Sequence, residues 1–167
     1  MQLTYSRSPG PLTVAAGATS HRAREMVESD LDAVGRTYFE SSPAGTVGAL
    51  ADAVQDVRAS WRGEYGRWVP AGCLLVPGPQ HEVLAAILTV QDPPWPDVSD
   101  HFFIIDLFTH PRHRGRGLGG LLVQTAVAAL QDRPVGLRVE STNTTAVALY
   151  EKHGFARRSD HVGSREG

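Results

Sequence analysis

Two hydrophobic periods alternate along this chain, and each change of period marks a change of element. In "ESDLDAVGRTYFE", Leu31, Val34 and Tyr38 recur at three- and four-residue steps, the spacing of one helical face. Ser29 stands where an N-cap is expected, with acids in the first turn. A second helix is predicted over "TVGALADAVQDVRASW", with Val47, Leu50, Ala51, Val54, Val57 and Trp61 on its apolar face and an end at Gly63. The apolar runs "GRWVPAGCLLV" and "HEVLAAILTV" lack a long helical period, and the "PGPQ" between them supplies turn geometry, so they read as a hairpin. A short strand is expected near 22–27. Residues 1–22 mix Pro, Gly, Ser and Thr without period, and read as a loosely ordered arm or a poorly anchored first strand.

In the second half, the prolines of "QDPPWPDVSD" lack amide donors and restrict the residues before them, which excludes regular structure and predicts a surface loop able to border a pocket. "HFFIIDLFT" is nearly continuous in apolar residues, as a strand covered on both faces should be, and Asp106 alone interrupts it. Leu118, Leu121, Leu122, Thr125, Ala126, Ala129 and Leu130 predict a helix of about four turns, closed by Pro134. Strand period returns in "VGLRVE". "TNTTAVALYEKHGF" is helical again, with Asn143 at or next to the N-cap and Gly154 at the C-terminal cap, and a last short strand is expected from Phe155.

The chain has 167 residues, 41% of them hydrophobic, which suits one domain with one core. Its formal net charge of -2 argues against a broad nucleic-acid platform. Cys73 is the single cysteine, so no internal disulfide forms, no zinc spacing arises, and a reducing cytoplasm is the expected setting. The N-terminal "PLTVAAGATS" is too short in apolar residues, and holds a Pro, to make a good signal segment. No run approaches the ~18 apolar residues of a membrane span.

Against this near-neutral background, "HPRHRGRGLGG" gathers three arginines and four glycines between a strand and a helix. The first amides of a helix have no intrahelical acceptors, so this arrangement points to an anion, and the arginines to phosphate. Alternatively the glycines only tighten the turn and the arginines are solvated. Gly115-x-Gly117-x-x-Gly120 also matches the dinucleotide fingerprint, with Glu140 ending the next strand twenty residues later. That motif belongs early in a series of strands and helices, however, and fewer than fifty residues follow Gly120. A Walker loop is excluded, because Gly117-Leu118-Gly119 stands where Gly-Lys-Ser/Thr is required.

Read as Arg112-x-x-Gly115-x-Gly117, the loop resembles the pyrophosphate loop of the GNAT superfamily of acyl-CoA dependent N-acyltransferases, Arg/Gln-x-x-Gly-x-Gly/Ala between a fourth strand and a third helix. A second block agrees: Asn143, Ala146, Leu149-Tyr150 and Gly154-Phe155 follow the family's Asn, Ala-x-x-Leu-Tyr and Gly-Phe. The resemblance is specific over about 101–156 and architectural over 23–100. It implies a single α/β domain over 23–167, with a mixed, mostly antiparallel central sheet and helices on both faces.

It further implies that acyl-CoA lies between the fourth and fifth strands, its pantetheine arm bonded to the backbone at Leu107, Phe108 and Thr109 as an added strand would be. Arg112, Arg114, Gly115, Arg116, Gly117 and Gly119 are then expected around the pyrophosphate. Asn143 would help hold pantetheine, a role compatible with capping. Tyr150 matches the tyrosine proposed to protonate the leaving thiolate; the other reading is a core tyrosine. The amine acceptor must lose a proton, for which Asp106 is the leading candidate and Glu140 the second, with His101 and His110 weaker; Asp106 could instead grip the substrate's ammonium. The expected reaction is transfer of an acyl group, in the first instance acetyl, from acetyl-CoA to a primary amine of a small molecule or peptide N-terminus. No metal, nucleic acid or membrane is implied, and a homodimer is compatible with the family. A non-catalytic acyl-CoA or nucleotide-binding module, and a dinucleotide-dependent oxidoreductase, are the alternatives.

Overall fold

Val83–Gln91 is a strand in which every residue but the last is buried, because both of its faces are covered. It is the fifth strand of a chain whose computed structural model describes residues 1–12 and 20–159. The elements run β1 (Gln2–Arg7), β2 (Arg24–Glu25), α1 (Leu31–Ser41), α2 (Leu50–Trp61), β3 (Arg67–Trp68), β4 (Leu74–Pro77), β5 (Val83–Gln91), β6 (Phe102–Thr109), α3 (Leu118–Ala129), β7 (Val135–Glu140), α4 (Thr144–Lys152) and β8 (Ala156–Arg157). They form one mixed sheet in the order β2-β4-β5-β6-β7-β1-β8, with β3 pairing alongside β5. β6 and β7 run parallel, and the other described pairs are antiparallel.

Helices cover both faces. On one, α1 and α2 set Leu31, Val34 and Val57 against Leu75, Ala86, Leu88 and Phe108. On the other, α3 lays Leu118, Leu122, Val123 and Ala126 over Leu74, Val76, Ile87 and Ile104, and α4 adds Tyr150 to the same layer. Each of the larger aliphatic side chains among them contributes about 1.5–3 kcal/mol by leaving water. The absence of a side chain at Gly35 lets α1 and α2 approach, since a Cβ there would stand 2.7 Å from the Val54 Cα. Among the described residues, no helix is long and apolar enough to cross a membrane.

The largest departure from the sequence reading is at the N-terminus. Part of the arm expected over 1–22 is a strand in the interior of the sheet: β1 pairs with β7 on one side and β8 on the other, burying Leu3, Tyr5 and Arg7. The alternation was there, but its third inward position is an arginine. Arg7 is tolerated inside because its guanidinium donates to the carbonyls of His153 (3.0 Å), Gly10 (3.2 Å) and Pro11 (3.1 Å). Residues 13–19 of the expected arm lie outside the described residues.

Smaller differences have local causes. At the start of α1, Asp30 takes the place expected of Ser29: its carboxylate accepts from the Val27 amide (2.8 Å) and pairs with Arg24 (2.8 Å). α2 begins at Leu50 and buries Ala53, Val57 and Ser60, leaving Ala51 exposed, so its inward face is rotated from the predicted one toward small residues that fit beneath α1. In α3, Thr125 and Ala129 are exposed and Val123 and Val127 are buried.

Candidate functional site

The site begins where the sheet comes apart. β6 and β7 pair from Phe102↔Val135 to Ile104↔Leu137 and then separate. From Ile105 to Thr109, β6 keeps its β5 neighbour but has no strand on its β7 side. Within this stretch β6 carries a bulge: Thr89 faces Ile104 and Leu88 faces Asp106, so Ile105 is the extra residue. The bulge resets the alternation and brings Asp106 onto the face of Phe108, the side covered by α1 and α2. A cavity of about 260 Å³ opens beside it, lined by Gln2, Trp95, Phe103, Ile104, Ile105 and Arg138. Trp95 of the proline-rich loop packs on Phe103 (5.0 Å), and Arg138 stacks over Trp95 (5.2 Å) while pairing with Asp97 (2.9 Å).

Asp106 does not line this cavity; it retains some accessible surface, yet its carboxyl is nearly enclosed by protein and has no hydrogen-bond partner among the described residues. Burial pushes it up to about 7, and the charge of Asp56 on α2 adds to the rise. Such a group is divided between acid and base near neutral pH. Tyr150 is 6% exposed and packs edge-on against Phe155 (5.7 Å). Its phenol is raised well above the ordinary range by burial first and by Asp106 second, so it stays protonated. The phenol oxygen has no described hydrogen-bond partner, although it is not among the sealed, unsatisfied polar atoms of the core.

Beyond Thr109 the chain turns into the glycine-rich loop. His110 caps that turn by accepting from the Arg112 amide (3.2 Å) and meets Glu40 of α1 at 2.7 Å. Gly115 and Gly117 have φ values of +76° and +75°, a region that disfavours side chains, and a Cβ at either would meet no atom within 4 Å. The turn therefore needs glycine for its conformation while leaving free space above its backbone, and Gly117 leads directly into α3, whose first amides have no intrahelical acceptor. Gly119 has a different reason: a Cβ there would touch Leu149 of α4 at 3.3 Å.

The three arginines separate. Arg112 has no described side-chain partner, Arg114 donates to the Ser41 carbonyl at the end of α1 (3.0 Å), and Arg116 meets His113 (3.1 Å). Asn143 caps α4, its carbonyl oxygen accepting from the Ala146 amide (3.2 Å), which leaves the side-chain amide nitrogen free to donate. Glu140, at the end of β7, is exposed and 3.2 Å from the N-terminal ammonium. His101 is held between Asp100 (2.7 Å) and Ser6 (3.2 Å). The structure thus brings Asp106 and Tyr150 into one electrostatic neighbourhood at the open seam and gives Glu140, His101 and His110 partners of their own. Among the described residues no group of three or more His, Cys, Asp or Glu is placed to hold a metal ion.

A seam of this kind, running into a glycine turn and a helix N-terminus, agrees with the sequence profile of the Acetyltransferase (GNAT) family, which matches residues 37–155. The chain belongs to that family. Among curated relatives, the mycothiol acetyltransferase of Salinispora arenicola is 50% identical over 56 residues, covering 31% of this chain and 18% of the relative. That of Catenulispora acidiphila is 38% identical over 81 residues, covering 41% of this chain and 25% of the relative. The chain thus spans a quarter or less of the length of these relatives. Its fold is similar to a GCN5-related N-acetyltransferase from Sphaerobacter thermophilus (TM-score 0.69, 17% identity, 94% of this chain and 48% of that one). It is also similar to the ribosomal-protein-S18-alanine N-acetyltransferase of Escherichia coli (TM-score 0.63, 18% identity, 83% and 79%).

The GNAT motifs lie in the second half of the chain, and the site has residues outside them that the sequence reading did not single out. Asp56 of α2 accepts a hydrogen bond from the Tyr65 phenol at 2.9 Å and couples to Asp106. Tyr38 packs on Phe108 (5.4 Å), and burial, with the charges of Asp106 and Asp56, pushes its phenol up to about 12. Asp56 reads as an ordinary polar position of an amphipathic helix. Only the tertiary approach of α2 to the β6 bulge gives it a second meaning.

Proposed function

We propose that this protein transfers an acetyl group from acetyl-CoA to a primary amine, with the thioester held along the open edge of β6. The observation that carries this reading is the end of β6–β7 pairing after Ile104, directly beside Asp106 and directly before the glycine turn. An extended pantetheine arm suits the unpaired backbone at Leu107, Phe108 and Thr109, and the Asn143 side-chain amide is a free donor nearby in the sequence motif. The diphosphate suits Arg112, the amides of Gly115 to Gly117 and the start of α3; Arg116 is close enough to His113 to share the role, whereas Arg114 is engaged with α1.

Asp106 takes a proton from the acceptor's ammonium, the neutral nitrogen attacks the thioester carbonyl and a C–N bond forms; the nitrogen, now cationic, sheds its second proton to solvent as the C–S bond breaks and the departing sulfur receives the Tyr150 phenol proton. Solvent then exchanges the two protons and restores both groups. The similarity to mycothiol acetyltransferases favours a small-molecule acceptor over a peptide. A reducing cytoplasm suits the buried free thiol of Cys73, and nothing in the reaction requires a second subunit.

A screen of free-thiol release from acetyl-CoA across polyamines, aminoglycosides, amino acids and peptide N-termini tests the reading. Amine-dependent thiol release is expected. Binding of CoA without release under any amine would leave a binding module, and a change in nicotinamide absorbance would point to the oxidoreductase.

A further inference from the structure

The cavity of about 260 Å³ at the fork of β6 and β7 has a definite place in the sheet. Of its walls, Phe103 and Ile105 point to the face that α1 and α2 cover, whereas Ile104 belongs to the layer under α3. The glycine turn feeds α3 on that other face, so a thioester anchored there and laid along β6 leaves the cavity to the acceptor. Ile105 directly precedes Asp106 in the chain, and the volume is below the about 300–1,000 Å³ of whole small-molecule sites. The cavity therefore suits the non-reacting part of an acceptor.

Trp95, Phe103, Ile104 and Ile105 make its walls apolar, and Arg138 is the one charged side chain among the described lining residues. Its Nη2 donates to both carboxylate oxygens of Asp97, at 2.9 and 3.0 Å, and its guanidinium stacks over Trp95 at 5.2 Å and Phe103 at 5.8 Å. The loop that carries Trp95 and Asp97 is itself fastened, since Arg158 donates to the Asp97 carbonyl at 2.7 Å. These contacts hold the guanidinium in place but leave Nε and Nη1 without a described acceptor, on a side chain that is 23% exposed. The Gln2 amide, also without a described partner, adds a neutral donor to the same cavity. A fixed guanidinium with unused donors among apolar walls is suited to an oxygen anion. Asp97 already offsets part of its charge, which favours a singly charged carboxylate over a phosphate dianion.

Resting on the acetyl-transfer reading above, we infer that the acceptor is an aminocarboxylic acid. Its amine reacts beside Asp106, its apolar body lies against Trp95, Phe103 and Ile105, and its carboxylate accepts from the free Nε or Nη1 of Arg138. The transfer itself is unchanged: one C–N bond forms, one C–S bond breaks, and the carboxylate stays ionised throughout. Arg138 takes no proton and is a specificity residue. Because its contact is made both before and during transfer, its effect falls on KM more than on kcat.

The test follows thiol release from saturating acetyl-CoA with leucine, phenylalanine and aminohexanoate. Each is set beside its primary amide, which keeps the oxygen without the charge, and beside the amine that lacks the carboxyl group: isopentylamine, phenethylamine and pentylamine. At least one acid is expected to exceed both of its partners in kcat/KM by about tenfold, through KM, and Arg138→Gln is expected to remove that advantage. Because the readout is a ratio within one enzyme preparation, a loss of folded protein does not imitate it. A wild type that uses every acid no better than its amide and amine would overturn the inference while leaving acetyl transfer standing, and so would an Arg138→Gln variant that weakens all three alike. No turnover with any amine, in a protein that binds CoA, would overturn the acetyl-transfer reading and this inference with it.

Discussion

In the proposed transfer, Asp106 is the side chain that takes the acceptor's proton. Its carboxyl is raised to about 7 by burial first and Asp56 second, so kcat/KM should rise with pH through about pH 7 as the base form appears. The groups that act on Asp106, or feel it, are Asp56, Tyr38, Tyr65 and Tyr150; Asp56 alone carries a charge near neutrality, and it is negative. Asp106→Asn should lose this rise and recover part of its deficit only at higher pH, where the free amine is abundant. The same group has an opposite effect on stability. Its folded-state value lies above the ordinary ~3.9 of an unfolded aspartate. The folded state therefore holds the proton more tightly, and stability is lost as pH rises from about 4 to about 7. Thermal unfolding of Asp106→Asn should show a gain over wild type that is larger at pH 8 than at pH 5. An equal Tm difference at both would mean that the carboxylate is well solvated. For Tyr150, substitution by Phe keeps the ring against Phe155 and removes the proton, so turnover should fall about ten- to a thousandfold with little change in acetyl-CoA affinity. An unchanged turnover in a reaction limited by chemistry would return Tyr150 to the core.

Among the elements, the glycine turn and the β6 strand differ in how far the sequence reveals them. The turn was legible because its demands are local: Gly115 and Gly117 adopt left-handed backbone that glycine alone enters freely, and the spacing to α3 follows. Gly115→Asp places a side chain and a negative charge in the free space above the turn. Calorimetric titration should show CoA binding abolished with the melting transition lowered only slightly, and wild-type affinity would remove the turn from the account. β6 was legible as a strand and Asp106 as its anomaly, but the facing of Asp106 was not, because a bulge inverts alternation and leaves no mark in composition. The α2 face was misread for a related reason: what fits beneath α1 is set by volume, so Ala53 and Ser60 go inward while Ala51 stays in water. Asp56 of α2 meets Tyr65 only because the turn after α2 folds back on the helix.

At the scale of the whole molecule, the sheet is completed by residues far apart in the chain. β1 fills the position between β7 and β8, so the wall of the candidate site depends on the first few residues as well as on the motif-bearing half. Tyr5 is 2% exposed and donates to Glu151 of α4 at 2.9 Å, tying this strand to the helix that carries Tyr150. Tyr5→Ala should destabilise the fold by about 3–5 kcal/mol in urea unfolding, in the range of large aromatic truncations. A change under 1 kcal/mol would show that β1 is peripheral to folding. Product analysis by mass spectrometry in parallel with thiol release tests most directly whether the open edge of β6 joins a CoA thioester to an amine. One free thiol is expected for every N-acetylated amine formed, with both lost together in Gly115→Asp. Thiol released without acetylated amine, or acetylated amine undiminished in Gly115→Asp, would contradict it.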